Sequence, residues 1–550
     1  VGVRIMVFSS SQWWAATGGE AAYVPKGALW FDGAADYLSK TDYSGDSTRT
    51  KLTLSGWFKR GSLDANSSTF NAESGSDYWN MRYDSTNKDQ LYFVNYISAA
   101  DKGTMITTPV YRDPAAWQHI VLTWDTTPGT PTENNIYWTV NGVRVTALGT
   151  STYPAQNTNS QWGNSSLPHW IGRNGAGNYF NGYMSELIYL DGYARPASDF
   201  GTEDSNGVWI PKDPTTSVAA YKGTNGFWLD FADTTSTTTI GYDVSGNSNH
   251  FSTSGIASGT SNWTYDRPAD SGEDTGNFCT LSPIEPRYYM RTASLYSGLK
   301  NGNLVFDNTT TGSGGGPRTT IELPTTGKWK FECAIVCSGV SQPEMGVATG
   351  YTNSDRGAGG STAYYGYQAK VVVDDAYVSD AGDTWGDGDT CTILLDMDSG
   401  SYGEVTYKVN NVTQTGAYSL TERDGPAFFY LYDQSGNNEF TCNFGATAFA
   451  YTDTGYLGLA TQNLSAPTVK NPSLNFLPIL YEGNGEGQRV GNFIPFTDSH
   501  TVNYSARFDR GGSDYLSTTL GTGGDTKTWT LSFWIKRGML SGGSRYCTIM

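Results

Sequence analysis

The chain has 550 residues, room for roughly three or four domains of ~100–200 residues each. Its net charge of −18 argues against nucleic-acid backbones and anionic membranes as partners, since both favour basic patches. With 14% aromatic, 16% charged and 66 Gly residues, it reads as short strands and polar turns rather than long charged helices.

No run approaches the ~18 apolar residues of a membrane span. Val3-Arg4-Ile5-Met6-Val7-Phe8 is too short for a secretory h-region. Residues 1–26 form a lead-in whose adjacent Trp13 and Trp14 are candidates for docking onto a larger assembly. Period-two strands are predicted at 52–58, 117–124 and 136–140. The last runs into Asn141-Gly142 and Val143-Arg144-Val145, the strongest short-range hairpin signal.

A signature then recurs. Phe31-Asp32, Asp36-Tyr37-Leu38-Ser39 and Trp57-Phe58-Lys59-Arg60-Gly61 return in order as Phe508-Asp509, Asp514-Tyr515-Leu516-Ser517 and Trp534-Ile535-Lys536-Arg537-Gly538. A domain therefore repeats, and 502–550 reads as the opening of a second copy in a chain that continues past Met550 or is completed by a partner.

The first copy also carries Trp117-Gln118-His119-Ile120-Val121-Leu122-Thr123-Trp124, Trp170-Ile171-Gly172-Arg173 and Phe180-Asn181-Gly182-Tyr183-Met184-Ser185-Glu186-Leu187. With these, residues 27–200 resemble the concanavalin A-like, laminin-G-like lectin/glucanase fold. Residues 201–302 read as a connecting region, with Asp243-Val244-Ser245-Gly246-Asn247-Ser248-Asn249 as an Asx-rich turn or a calcium loop. Gly327-Lys328-Trp329-Lys330-Phe331-Glu332, Asp396-Met397-Asp398-Ser399-Gly400, Tyr407-Lys408-Val409-Asn410 and Asn443-Phe444-Gly445 make 303–450 resemble a SPRY domain. Residues 451–501, with Pro467 and Pro472, read as a linker. The fold class expected is all-β, in tandem antiparallel sandwiches. The order of modules resembles appendage proteins of tailed bacteriophages.

Catalysis finds no support in spacing. A retaining glycosidase needs two carboxyl groups ~5.5 Å apart, but Glu186 and Asp191 fall on opposite faces of a strand. Asp396 and Asp398 share a face but belong to the SPRY-like signature, and Asp383, Asp387 and Asp389 read as a solvated turn more readily than a calcium site. The four His, His119, His169, His250 and His500, are scattered, and the six Cys show no metal spacing and read mostly as buried small hydrophobes. The expectation is no enzyme and no cofactor, with Ca2+ the one candidate ion and its ligands unknown.

Saccharide binding needs only an aromatic face and a few amide or carboxylate groups. Polar, aromatic-bearing loops offer Tyr78 and Trp79, Trp162 and Asn164, and Tyr432, Asp433 and Asn437, with Trp162 foremost because its neighbours are all polar. The resulting expectation is a virion fibre, spike or capsid appendage, assembled in the host cytoplasm and exposed on the particle. It would be homo-oligomeric as a trimer, bind host-surface glycan and other virion proteins, and contact neither nucleic acid nor membrane. The alternatives are a decoration protein binding only virion subunits, or a secreted bacterial adhesin.

Overall fold

The computed structural model describes residues 23–464, except 258–261, 270–274, 287–297, 309–315, 338–342, 350–361, 366–368, 422–426, 434–437 and some shorter stretches, together with 479–482 and 487–490. Trp13, Trp14 and the second signature at 508–538 lie outside the described residues.

Apolar residues at every second position build the inner face of the first sandwich. In the strand Asp77–Asp84, Trp79, Met81 and Tyr83 are buried, while Tyr78 and Arg82 are half-exposed on the opposite face. Its sheet runs in the order Ser252–Ser254, Tyr37–Lys40, His169–Ile171, Ser67–Ser74, Asp77–Asp84, Gln90–Ile97, Ala100–Val110, with Leu148–Thr152 also on the last strand. The facing sheet runs Val143–Arg144, Ile136–Val140, Gln118–Asp125, Lys51–Arg60, Asn181–Asp191, Ala28–Asp32. All these pairings are antiparallel. Between the sheets Leu54, Phe58, Phe93, Leu122, Trp124 and Leu187 join one apolar core. The expected hairpin is present: Asn141 and Gly142 have φ of 46° and 76°, the conformation that joins Val140 to Val143. A Cβ on Gly142 would also lie 2.4 Å from the Trp209 ring.

The connecting region is largely part of this sandwich. Phe227–Leu229 pairs with Asn181–Asp191, Ser252–Ser254 with Tyr37–Lys40, and Trp263–Thr264 with Ala28–Asp32. Val218 and Trp228 pack on Val121, Ile188 and Leu190, forming a third layer. Those three residues make the outer face of their sheet apolar, so something had to cover it. The expected linker likewise contains strands: Leu457–Gly458 pairs with Lys328–Cys337, and Ile479–Glu482 pairs with Ala100–Val110 and with Gly487–Val490.

The second sandwich has a core of its own, including Phe331, Ile393, Leu395, Tyr407, Phe429 and Phe440. One sheet runs Leu281–Pro286, Pro317–Thr319, Ala427–Asp433, Pro343–Thr349, Thr362–Tyr365, Lys370–Val373, Ala376–Asp380. The other runs Leu299–Lys300, Val305–Asp307, Asn438–Asn443, Lys328–Cys337, Thr390–Asp396, Glu404–Val409, Val412–Thr413. Cys279, Cys333, Cys391 and Cys442 are free and buried within it. The sandwiches meet where Lys59 reaches Asp266, Asn277 Nδ2 donates to the Ala115 carbonyl at 2.7 Å, and Tyr183 Oη donates to that of Gly302 at 2.8 Å.

Candidate functional site

The residue the sequence favoured most is in the core. Trp162 has 0% exposure, its ring lying 5.4 Å from those of Phe70 and Trp79 and 4.9 Å from His169. Its polar neighbours bond to one another: Asn164 Nδ2 donates to Gln161 Oε1 at 2.7 Å, and Arg49 Nη1 donates to Gln161 Oε1 and to the Ser160 carbonyl. A self-satisfied polar loop thus hangs one indole into the end of the sandwich, so apolar sequence neighbours were never needed. Trp79 is equally buried.

Tyr432 packs beside Tyr430, Ala348 and Val372, and Asp433 is fully buried. Its oxygens accept from Asn438 Nδ2 at 2.7 Å and from Asn308 Nδ2 at 3.1 Å, which makes it a strand-end staple rather than a ligand for hydroxyls. Asn437 lies outside the described residues. Of the expected set only Tyr78 presents an aromatic surface, half-exposed and stacked on Tyr96 at 4.6 Å and 12°.

The buried titratable groups are committed. Trp209 Nε1 donates to His119 Nδ1 at 3.0 Å, so His119 carries its proton on Nε2, 2.9 Å from Ser55 Oγ. In that tautomer the imidazole donates to the hydroxyl and cannot draw a proton from it. Burial lowers its pKa to about 3. Glu186 sits at a bulge with φ 50°, its carboxyl accepting from Trp228 Nε1 at 2.8 Å and Tyr23 Oη at 3.0 Å, and burial pushes its pKa up to about 8. Asp191 instead accepts from Tyr189 Oη and the Asn225 amide.

The calcium candidates are turn-builders. Asp243 accepts from the backbone amides of Trp228, Ser245 and Asn249 and from Ser245 Oγ, an Asx-rich turn. Asp387 accepts from the Cys337 amide, and Asp389 from the Gly386 amide and Asn410 Nδ2. Among the described residues no three His, Cys, Asp or Glu side chains gather as a metal site.

A surface depression of about 470 Å³ opens where the end of the hairpin Gln90–Ile97/Ala100–Val110 meets the stretch 152–159, lined by Ile97, Asp101, Lys102, Tyr153, Thr158 and Asn159 among others. The buried Asn95 clamps the loop behind it: its Nδ2 donates to the Asn159 carbonyl at 3.1 Å and its Oδ1 accepts from the Gln161 amide at 2.9 Å. Asp101 is held by the Gly103 amide and by Thr104 Oγ1, both at 2.9 Å. Tyr96 is the register partner of Asp101, so the Tyr78–Tyr96 stack adjoins the depression. Between them the turn Ser98-Ala99 has φ of 52° and 62°, a left-handed pair with neither Gly nor Asn, whose Ser98 amide is capped by Asp77. Such local strain characteristically collects at binding sites.

Farther across the same face, Arg173 lies 4.8 Å from the Tyr37 ring, 5.3 Å from Trp170 and 5.2 Å from Tyr179. Sequence reasoning missed Tyr96, Asp101 and Tyr153 because no single segment concentrates them; only the hairpin and the Asn95 clamp bring 97–102 to 153–159.

Residues 32–195 match the model of the concanavalin A-like lectin/glucanases superfamily. No curated protein matches the sequence. Among solved structures the chain is similar to a human SPRY domain, at 18% identity over 25% of this chain and 88% of that one, with a TM-score of 0.22. It is similar to domains LG4-5 of the mouse laminin alpha1 chain, at 8% identity over 78% and 86%, with a TM-score of 0.27. It is also similar to domain 4 of AbnA, a GH43 extracellular arabinanase from Geobacillus stearothermophilus in complex with arabinotriose, at 17% identity over 31% and 73%, with a TM-score of 0.23.

Proposed function

We propose that the first sandwich is a non-catalytic saccharide-binding module, and that the depression beside the Tyr78–Tyr96 stack is its site. The observation that carries this reading is the half-exposed Tyr78–Tyr96 stack beside a depression of about 470 Å³ that Asp101, Lys102, Tyr153 and Asn159 help to line. A pyranose offers an apolar face for stacking and a rim of hydroxyls for amide, ammonium and carboxylate groups. Nucleophilic chemistry is disfavoured by the His119 tautomer and by the separate bonding of Glu186 and Asp191.

At the level of the whole protein, we propose an appendage of a tailed-phage virion that contacts host glycans. The recurring signature and the order of the modules support that assignment. Calorimetric titration with a panel of bacterial-surface oligosaccharides tests the first part, with release of reducing ends followed in parallel. Saturable binding without hydrolysis supports the reading; hydrolysis, or no binding by any member, refutes it. Immunogold labelling of purified particles tests the second, and a chain that labels particles yet binds no saccharide would be a decoration protein.

A further inference from the structure

Three cysteines lie in register across neighbouring strands of the second sandwich: Cys391 and Cys442 each stand opposite Cys333. The two pairs are not equivalent, and the backbone says why. The Cys442 amide donates to the Leu304 carbonyl at 2.7 Å, so the main-chain polar groups of Cys442 face the strand Val305–Asp307 and turn away from Cys333. Cys333–Cys442 is therefore a non-hydrogen-bonded antiparallel pair, the arrangement with Cα atoms only ~4.5 Å apart and side chains close. On the other side, the Asn410 amide donates to the Thr390 carbonyl at 2.9 Å, turning Thr390 away from Lys328–Cys337. Its successor Cys391 must then face Cys333 as a hydrogen-bonded pair, the wider arrangement at ~5.5 Å. The sulfur atoms agree: Cys333 Sγ and Cys442 Sγ are 4.0 Å apart.

We infer that Cys333 and Cys442 are a disulfide-forming pair, oxidised by a low-molecular-weight disulfide, and that Cys391 is not a participant. Both Cα separations lie within the range a disulfide spans, and what singles out Cys333–Cys442 is the closer approach of Cβ atoms in a non-hydrogen-bonded pair together with its 4.0 Å sulfur–sulfur distance. In the first step the Cys442 thiolate attacks the external disulfide, forming a mixed disulfide and expelling one thiolate. In the second the Cys333 thiolate attacks the Cys442 sulfur and expels the other. Two protein thiols thereby lose two electrons and two protons, and one external disulfide becomes two thiols. The bridge joins positions 109 residues apart, tying together the two strands at the middle of the sheet. Both thiols are buried, and burial holds that of Cys333 well above the usual thiol range, so reaction requires the sheet to open.

The test uses the full chain with Cys337→Ser, removing the half-exposed thiol on the same strand, incubated with oxidised glutathione across a urea series below the unfolding midpoint. Peptide mapping should recover a Cys333–Cys442 cross-link whose rate rises at least tenfold with urea, and the oxidised protein should unfold at higher urea. Cys391→Ser should leave the cross-link intact, and Cys442→Ala should leave Cys333 a free thiol. A Cys333–Cys391 bridge, glutathione persisting on Cys442, or no cross-link anywhere in the urea series overturns the inference.

Discussion

The Lys59 ammonium lies 2.7 Å from Asp266 Oδ2, with both side chains at most 1% exposed, and this ion pair bolts the first sandwich to the segment that leads into the second. All three ammonium protons find oxygen, since Asn277 Oδ1 at 2.9 Å and the Phe278 carbonyl at 2.6 Å complete the set. Trp117 Nε1 occupies the other Asp266 oxygen at 2.9 Å. Removing one partner of such a pair strands a charge in the interior, at roughly 3–5 kcal/mol. Lys59→Met should lose about that much and split a joint calorimetric transition into two, one for each sandwich. Lys59→Met combined with Asp266→Leu should recover most of the loss; a single unaltered transition in Lys59→Met would show that the pair does not couple the sandwiches.

Glu186 should make the protein weaken as pH rises. In the unfolded chain its carboxyl ionises near 4.5, whereas in the folded protein it keeps its proton until about pH 8. The native state therefore binds more protons across that window, and stability falls from pH 4.5 to about 8 and then levels. The full shift corresponds to at most ~5 kcal/mol. Urea unfolding at a series of pH values should show the decline, and Glu186→Gln should flatten it.

His119 and His169 should set the opposite limb. Burial lowers both pKa values from 6.5 to about 3, so the unfolded chain binds the extra protons as pH falls below 6.5. Stability should drop over that range, and NMR of the imidazoles should find both neutral at pH 5.

The strained turn offers a gain. Ala99 has φ 62°, where a Cβ is unfavourable, so Ala99→Gly should stabilise the chain by about 0.5–1 kcal/mol in equilibrium unfolding. If stability instead falls by 0.5 kcal/mol or more, on the same scale, the strain is not there to relieve.

Core and surface aromatics should separate cleanly. Trp162→Ala empties a site walled by Phe70, Trp79 and Tyr189 and should cost about 3–5 kcal/mol of stability. Tyr96→Ala should weaken saccharide binding about tenfold while shifting stability by ~1 kcal/mol or less, whereas Tyr153→Ala, which also packs on the core, should weaken both. The reverse pattern would return the site to the loop around Trp162.

Alternation and turn chemistry act over a few residues, which is why the strands near 52–58, 117–124 and 136–140 and the Asn141-Gly142 hairpin could be read directly from the sequence. The repeated Lys59-Arg60 was visible too, but not its reason. Two charges in a strand make sense only once Lys59 meets Asp266, and Arg60 meets Asp89 at 2.8 Å and the Tyr83 ring at 3.9 Å. Tertiary structure alone decided that Trp162 turns inward while Tyr78 and Tyr96 stay on the surface, because side-chain direction at the end of a sandwich depends on the route of a loop, not on its composition. It also gathered 97–102 and 153–159 around one depression and set the Cys442 sulfur 4.0 Å from that of Cys333. Those outcomes follow from strand register, which is set by pairings between residues far apart in the chain and leaves no local mark in the sequence.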